Sequence, residues 1–161
     1  MTKEALASRI AQTALLRGEF TLRSGRRSDY YLDKYRFTTQ PDILAEIGRL
    51  MAQRVGDGID RIAGPELGAV ALAAAASLAA AKPFIIVRNQ KKDYGTAKLI
   101  EGVFNPGETV LLVEDILTTG GQVIEAARTL AAAGLTVDRI VAVIDRQEGA
   151  AENIDAAGLR Y

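Results

Sequence analysis

The residues best suited to chemistry are an acidic pair, Glu114 and Asp115, which follows the apolar residues 110–113. Two threonines and two glycines come soon after, at residues 118–121, and a helical pattern begins at Gln122. The first amides of a helix lack intrahelical partners and attract anions, and glycines let a phosphate approach the backbone. Carboxylates suit the hydroxyls of a sugar, or a divalent metal. The segment therefore predicts a site for a ribose and its phosphate at a strand-to-helix junction.

Other phosphate-binding loops fit this segment less well. It lacks the Gly-Lys-Ser/Thr of a Walker loop and the G-x-G-x-x-G spacing of a dinucleotide fold. An ordinary strand-turn-helix unit with threonine as the N-cap remains an alternative. That alternative explains the threonines and glycines, but it leaves the acidic pair without a role.

Composition excludes several other kinds of site. The 20 basic and 20 acidic residues cancel, so we expect no general attraction to nucleic acid or to a membrane. Without Cys or His, catalysis would depend on carboxylates, Lys, Arg, Tyr and backbone groups. The N-terminus has the pattern of an amphipathic helix rather than a signal peptide, and residues 69–81 are too few to span a bilayer. We therefore expect a cytoplasmic protein of one domain, residues 1–161.

Strands that alternate with helices predict an α/β fold with a parallel sheet flanked by helices. The predicted helices are residues 3–16 (which Gly18 ends), a helix from Pro41 that Gly56 stops, residues 69–81, and a helix from 122 that Gly134 ends. The predicted strands are residues 20–22, 30–32, 61–63, 84–87, 99–104, 110–113 and 139–144. The tail after these has little pattern.

Polar residues follow four of the predicted strands. They are the loop 64–68, Arg88, the pair Glu114 and Asp115, and Arg146 with its neighbour Asp145. In an open parallel sheet, ligands bind at the carboxyl ends of the strands. We therefore expect these residues to lie along one edge of the sheet.

The acidic pair, two residues and then Thr118-Thr119-Gly120 resemble the phosphoribosyl pyrophosphate (PRPP) motif of type I phosphoribosyltransferases. Four other segments resemble the orotate phosphoribosyltransferases of that family. They are residues 20–33 (the N-terminal signature), 64–68 (the pyrophosphate loop), 88–95 (the mobile catalytic loop) and 143–149 (the orotate-binding segment). Order and spacing fit over about residues 16–149.

The resemblance implies a role for individual residues. The residues implied to bind PRPP are Arg88, Lys91, Lys92, Tyr94, Glu114, Asp115, Ile116, Leu117, Thr118, Thr119, Gly120, Gly121 and Gln122. The residues implied to bind orotate are Arg23, Thr118 and Arg146. Lys92, Arg88 and Asp115 are implied to be catalytic.

The resemblance also implies an architecture and partners. It implies a type I phosphoribosyltransferase-like sheet with a small N-terminal hood, roughly residues 1–38, and a core of roughly residues 39–150. The reaction would join orotate to the phosphoribosyl group of PRPP, with Mg²⁺ carried mainly by PRPP and no direct metal ligand in the chain. A homodimer that shares the mobile loop across its interface is also implied.

Three positions depart from the family pattern. Asn89 stands where the family loop commonly has Lys, and Tyr94 stands where it commonly has His. Glu66 offers no cation in the pyrophosphate loop. Two alternatives therefore stay open: a non-catalytic module that senses PRPP or a nucleotide, and transfer to another base. Without the resemblance, Arg88 and Lys92 would be a solvated basic loop and Arg146 a surface ion-pair partner.

Overall fold

A computed structural model describes residues 1–21, 25, 27–89 and 98–161. The chain divides into two compact units, Met1–Glu46 and Ile47–Tyr161. Four of the predicted site residues lie outside the described residues: Arg23, Lys91, Lys92 and Tyr94. None of the helices in the described ranges has the length and apolar character that crossing a membrane requires.

The first unit contains helices and one antiparallel hairpin. Its elements are α1 (Lys3–Ala14), β1 (Leu15–Thr21), β2 (Arg27–Leu32), α2 (Lys34–Thr38) and the start of α3 (Pro41–Ala52). The Thr2 hydroxyl accepts a hydrogen bond from the Ala5 amide at 3.2 Å and so caps α1. The unit differs from the sequence prediction at the end of this helix. Residue 15 already pairs with Leu32, so strand pairing overrides helical propensity there, and Gly18 lies within β1.

The second unit is a sheet with helices. After α3 its elements are β3 (Arg61–Pro65), α4 (Gly68–Ala80), β4 (Phe84–Val87), β5 (Ile100–Glu101), β6 (Thr109–Leu117), α5 (Gly121–Ala132), β7 (Thr136–Asp145) and α6 (Ala150–Ala156). The strand order is β5-β4-β3-β6-β7. Four strands are parallel, as predicted, whereas β5 pairs antiparallel with β4. The predicted α/β architecture is confirmed, with an antiparallel strand at one edge.

The alanine-rich helix α4 packs closely against the sheet, as its small residues predict. A Cβ built on Gly64 of β3 would lie 2.7 Å from the Ala69 carbonyl oxygen and 2.9 Å from the Ala73 Cβ. Those separations are too short for a side chain, so position 64 requires glycine. Residues 110–113 of β6 are fully buried in the same unit.

Other elements, in the second unit, also differ from the predictions. β6 runs on to Leu117, so the acidic pair lies inside the strand instead of after it. The predicted strand 99–104 is only the two residues of β5. The tail forms the helix α6, whose seven residues are too few to show a clear apolar period.

An ion-pair cluster joins the amino ends of β3 and β6. The guanidinium of Arg61 donates from Nε and Nη2 to the two carboxylate oxygens of Glu108, with 2.9 Å between Nη2 and Oε1. The backbone amide and side-chain amide of Asn105 donate to the same carboxylate at 3.0 Å and 2.9 Å. These hydrogen bonds lower the pKa of Glu108 to about 2, Arg61 having the largest effect.

Candidate functional site

A small cavity lies at the junction of β6 and α5. It has a volume of about 90 Å³. Its lining residues are Glu114, Ile116, Leu117, Thr118, Thr119, Gly120, Gly121, Gln122 and Val123. Every residue of the predicted PRPP motif except Asp115 is among them. Drug-sized ligands occupy cavities of about 300 Å³ or more, so this space suits only a small group, such as a phosphate.

Gly120 gives the loop its shape. It is the N-cap of α5 and has a φ of 81°, in the left-handed region that favours glycine. Because glycine has no side chain, it supplies no capping oxygen to the first turn of the helix. The alternative of a threonine N-cap is therefore wrong. The first turn keeps the positive end of the helix dipole toward the cavity, which favours an anion there.

Helix α6 supports the loop from behind. The side-chain amide of Asn153 donates to the Thr119 carbonyl at 2.9 Å. A Cβ built on Gly120 would lie 3.2 Å from Ile154 Cγ1 and 3.4 Å from the Ala150 carbonyl oxygen. The loop is thus packed against α6 as well as joined to β6. This support was not predicted, although the spacing of Ala150 and Ile154 at i and i+4 gives a weak helical signal.

Both carboxylates of the acidic pair are buried. The exposed fraction is 4% for Glu114 and 2% for Asp115. The Asp115 amide donates to Glu114 Oε1 at 2.9 Å, and the Ile116 amide donates to Asp115 Oδ1 at 2.6 Å. These local hydrogen bonds fix the orientation of both carboxylates. Successive side chains of a strand point to opposite faces, which is consistent with Glu114 alone lining the cavity.

Arg88 follows β4 and contacts the loop after β3. Its Nη1 lies 3.5 Å from Glu66 Oε2, while the Asn89 amide donates to Glu66 Oε1 at 2.9 Å. The Gln122 side-chain amide donates to the Glu66 carbonyl at 3.3 Å. Glu66 therefore links the ends of β3 and β4 with the start of α5, which carries the cavity.

Arg146 follows β7 and lies beside the end of β6. Its backbone amide donates to the Leu117 carbonyl at 2.9 Å. Its Nε lies 3.1 Å from Glu148 Oε1, and the side chain is 21% exposed. Arg88, the acidic pair, the loop and Arg146 are thus found at the carboxyl ends of β4, β6 and β7, as predicted.

Comparison with known proteins identifies the family. A family model described as the phosphoribosyl transferase domain matches residues 35–157, more than half of the chain. The chain belongs to the phosphoribosyltransferase family. The resemblance of its PRPP motif is therefore confirmed by an independent match.

The relatives of this phosphoribosyltransferase specify the branch of the family. An orotate phosphoribosyltransferase of Methanocella arvoryzae is 46% identical over 156 residues, which cover 96% of this chain and 89% of the relative. One of Natronomonas pharaonis is 51% identical over 137 residues, which cover 85% of this chain and 78% of the relative. The resemblance to orotate phosphoribosyltransferases is thus confirmed over most of the sequence.

Solved structures agree with the sequence relatives. A crystal structure of the Mycobacterium tuberculosis H37Rv orotate phosphoribosyltransferase has a TM-score of 0.87 and 38% identity, and covers 99% of this phosphoribosyltransferase and 93% of that chain. A complex of the same enzyme with PRPP has a TM-score of 0.82 and 37% identity, with coverages of 99% and 92%. The predicted fold is therefore confirmed as that of the phosphoribosyltransferase family.

Two contacts in this phosphoribosyltransferase were not predicted. One is the hydrogen bond from Asn153 to the loop, and the other is the set of contacts around Glu66. Glu66 and Asn89 stand out in the sequence only as departures from the family pattern. Their proximity could not be predicted, because 22 residues lie between them along the chain. No periodic pattern in the sequence connects the two positions.

Proposed function

We propose that the chain transfers the 5-phosphoribosyl group from PRPP to orotate, giving orotidine 5′-monophosphate and pyrophosphate for pyrimidine biosynthesis. The cavity bounded by Glu114 and residues 116–123 carries this proposal. It combines a carboxylate for a sugar hydroxyl with a helix start for a phosphate. The 46% identity to an orotate phosphoribosyltransferase supports orotate as the base.

The ribose 5-phosphate end of PRPP would bind at the junction of β6 and α5. Glu114 and Asp115 are proposed to accept hydrogen bonds from the ribose hydroxyls, because both are carboxylates held in a fixed orientation. The loop residues that line the cavity are proposed to surround the 5′-phosphate with amide and hydroxyl donors. Those residues are Ile116, Leu117, Thr118, Thr119, Gly120, Gly121 and Gln122.

Orotate would bind beside this cavity through its carboxylate. Arg146 is proposed as the partner of that carboxylate, since a planar guanidinium matches a carboxylate with two parallel hydrogen bonds. The contact of its backbone with Leu117 supports this role, because Leu117 is also a lining residue of the cavity. Arg23 and Thr118 are proposed to contact the base, on the resemblance alone.

The pyrophosphate end would bind near Arg88. In the reaction, the C1′–N1 bond to orotate forms as the C1′–O bond breaks; the electron pair of the C1′–O bond leaves with pyrophosphate, and the N1 proton of orotate passes to solvent or to the pyrophosphate. Such cleavage at an anomeric carbon gives the sugar oxocarbenium character. The chain would therefore favour reaction by placing positive charge at the leaving group. Arg88, Lys91 and Lys92 are proposed for this task, with Tyr94 as a further contact.

We propose Mg²⁺ as the cofactor, carried mainly by PRPP. Carboxylate oxygens suit this hard cation, and Glu114 lines the cavity. Within the described residues no group of three acidic side chains is arranged to hold a metal. When bound, Mg²⁺ would offset the negative charge of the pyrophosphate.

We further propose a cytoplasmic homodimer, which is the assembly that the family resemblance implies. Analytical ultracentrifugation at micromolar concentration tests the dimer directly. A single species with the mass of one chain at every concentration would contradict it.

A spectrophotometric assay of orotate consumption tests the function. We expect turnover that requires both PRPP and Mg²⁺, with little activity when uracil or a purine replaces orotate. The Asp115→Asn variant, whose side chain has the same shape, provides a matched comparison of low activity. PRPP binding without turnover of any base would instead favour the sensing module.

A further inference from the structure

Glu66 makes more contacts to neighbouring loops than its position in a short turn requires. Its backbone amide donates to the Val87 carbonyl at 2.8 Å. Its carboxylate accepts from the Asn89 amide at 2.9 Å and lies 3.5 Å from Arg88 Nη1. Its carbonyl accepts from the side chains of Asn89 and Gln122 at 3.1 Å and 3.3 Å. One residue therefore joins three segments at the same edge of the sheet.

Two of the three departures from the family pattern, Glu66 and Asn89, contact each other here. Asn89 stands where a lysine is common, and its side chain donates to Glu66 instead of offering a positive charge. A lysine at this position would carry a positive charge on a flexible side chain and could reach an anion directly. The pair Glu66 and Asn89 therefore replaces a charge with an arrangement that fixes the start of the segment after β4.

The contact with Arg88 gives this arrangement a consequence for binding. A guanidinium has five N–H donors in a rigid plane, so it can pair with one carboxylate and still present other donors to a second anion. The side chains of Arg88 and Glu66 are 27% and 25% exposed, so the pair is open to solvent on one side. A fixed guanidinium loses less rotamer entropy on binding an anion than a mobile one does.

We infer that Glu66 is a positioning residue that orients Arg88 for the pyrophosphate group of PRPP. This inference rests on the proposed function, because it takes Arg88 as a contact of that group. Glu66 does not touch the substrate in this role. Glu66 is negatively charged, so it would act on the pyrophosphate only through the arginine that it orients. Asn89 holds Glu66 in place by donating hydrogen bonds to it.

Calorimetric binding of PRPP with Mg²⁺ to single and double variants tests the inference. We expect Glu66→Ala to raise the dissociation constant of PRPP about 3- to 10-fold, the range for a partly exposed charge-assisted contact. Glu66→Gln should have a smaller effect, because its amide oxygen still accepts from the Asn89 amide. In an Arg88→Ala background, Glu66→Ala should change the constant less than about 2-fold, since Arg88 carries the effect.

Glu125→Ala is the matched control, because it removes the carboxylate partner of a different arginine. Glu125 Oε2 lies 3.4 Å from Arg128 Nη1, and both side chains are exposed. We expect it to leave PRPP binding unchanged. Steady-state kinetics should show Glu66→Ala raising the KM of PRPP while the KM of orotate at saturating PRPP stays constant, a split that general loosening of the fold would not produce. Equal effects of Glu66→Ala with and without Arg88 would overturn the inference.

Failure of the inference is distinguishable from failure of the proposed function. If the wild-type protein binds PRPP and Glu66→Ala binds it equally well, only the role of Glu66 is wrong. If the wild-type protein binds no PRPP in the presence of Mg²⁺, both the proposed function and the role of Glu66 are wrong.

Discussion

The side-chain amide of Asn153 donates a hydrogen bond to the backbone carbonyl of Thr119, with 2.9 Å between Nδ2 and O. The bond ties the loop at the candidate phosphate site to a helix 34 residues further along the chain. Because the carbonyl is held from behind, the amides of the loop keep one orientation before a ligand arrives. Preorganisation of this kind reduces the ordering cost of binding.

Removing this hydrogen bond should weaken PRPP binding without unfolding the protein. We expect Asn153→Ala to raise the KM of PRPP about 2- to 5-fold, which matches the usual contribution of one exposed hydrogen bond. Steady-state kinetics at saturating orotate gives the measurement. Glu152→Ala, an exposed neighbour on the same helix, is the control and should have wild-type kinetics.

Gly120→Ala should lower both stability and PRPP affinity. The residue has a φ of 81°, and a Cβ there would lie 3.2 Å from Ile154 Cγ1. We expect a loss of about 2–4 kcal/mol in the free energy of unfolding, from backbone strain and crowding together. Gly107→Ala separates the two causes, since Gly107 has a φ of 91° but nothing within 4 Å of its added Cβ. An equal loss in both variants would mean that packing on α6 adds nothing.

Asp115→Asn should lower turnover strongly while the protein remains folded. In the wild type, the Ile116 amide donates to Asp115 Oδ1 at 2.6 Å. The asparagine oxygen can still accept this hydrogen bond, but the negative charge is lost. We expect kcat to fall about 100- to 1,000-fold, the scale of one electrostatic contact at a reacting centre. Lys92→Ala should lower kcat comparably. Asp155→Asn, at an exposed position of α6, is the control. Near-normal rates in both Asp115→Asn and Lys92→Ala would refute the assigned roles.

Arg146→Ala should raise the KM of orotate and leave the KM of PRPP nearly unchanged. A lost guanidinium–carboxylate pair at a partly buried site corresponds to about 10-fold or more. Glu148→Gln gives the decisive comparison, because Glu148 Oε1 lies 3.1 Å from Arg146 Nε. If Arg146 served only as an ion-pair partner of Glu148, both variants would have the same small effect.

The lowered pKa of Glu108 predicts that the stability of the protein depends on pH. Hydrogen bonds from Arg61 and Asn105 lower its pKa from 4.5 to about 2 in the folded protein. A carboxyl with a lowered folded pKa stabilises fully above its unfolded pKa, and the contribution is lost as pH falls through the folded value. The Tm difference between the wild type and Glu108→Gln should therefore be constant above about pH 5.5 and shrink toward pH 2. Thermal unfolding followed by circular dichroism measures it, and a difference that grew on acidification would contradict the assignment.

Local pattern predicted the sheet and the phosphate loop well. The apolar run before Glu114, the glycines after it and the helical period from Gln122 all act over a few residues, where propensity and burial agree. Strand pairing was less predictable. Residues 15–17 join β1 because they pair with residues 30–32, and no local feature indicates that partner.

The residues that position the site were the hardest to predict. Asn153 and Glu66 act through single hydrogen bonds to backbone groups of other segments, and such contacts leave no periodic trace in the sequence. Helix α6 is short, so its two buried residues, Ala150 and Ile154, give only one repeat of the helical spacing. The residues proposed for the site were thus named from residue type, spacing and the family resemblance, whereas their supports depend on tertiary contacts.

The cluster of Arg61, Glu108 and Asn105 lies at the amino ends of β3 and β6, while the candidate site lies at the carboxyl ends of the strands. Substitutions in this cluster would therefore change the stability of the protein to heat or acid without altering the groups proposed to bind the substrates. Natural variation between environments would be expected to accumulate at that end of the sheet. Substitutions at that end of the sheet could therefore be used to change the stability of the folded protein independently of catalysis.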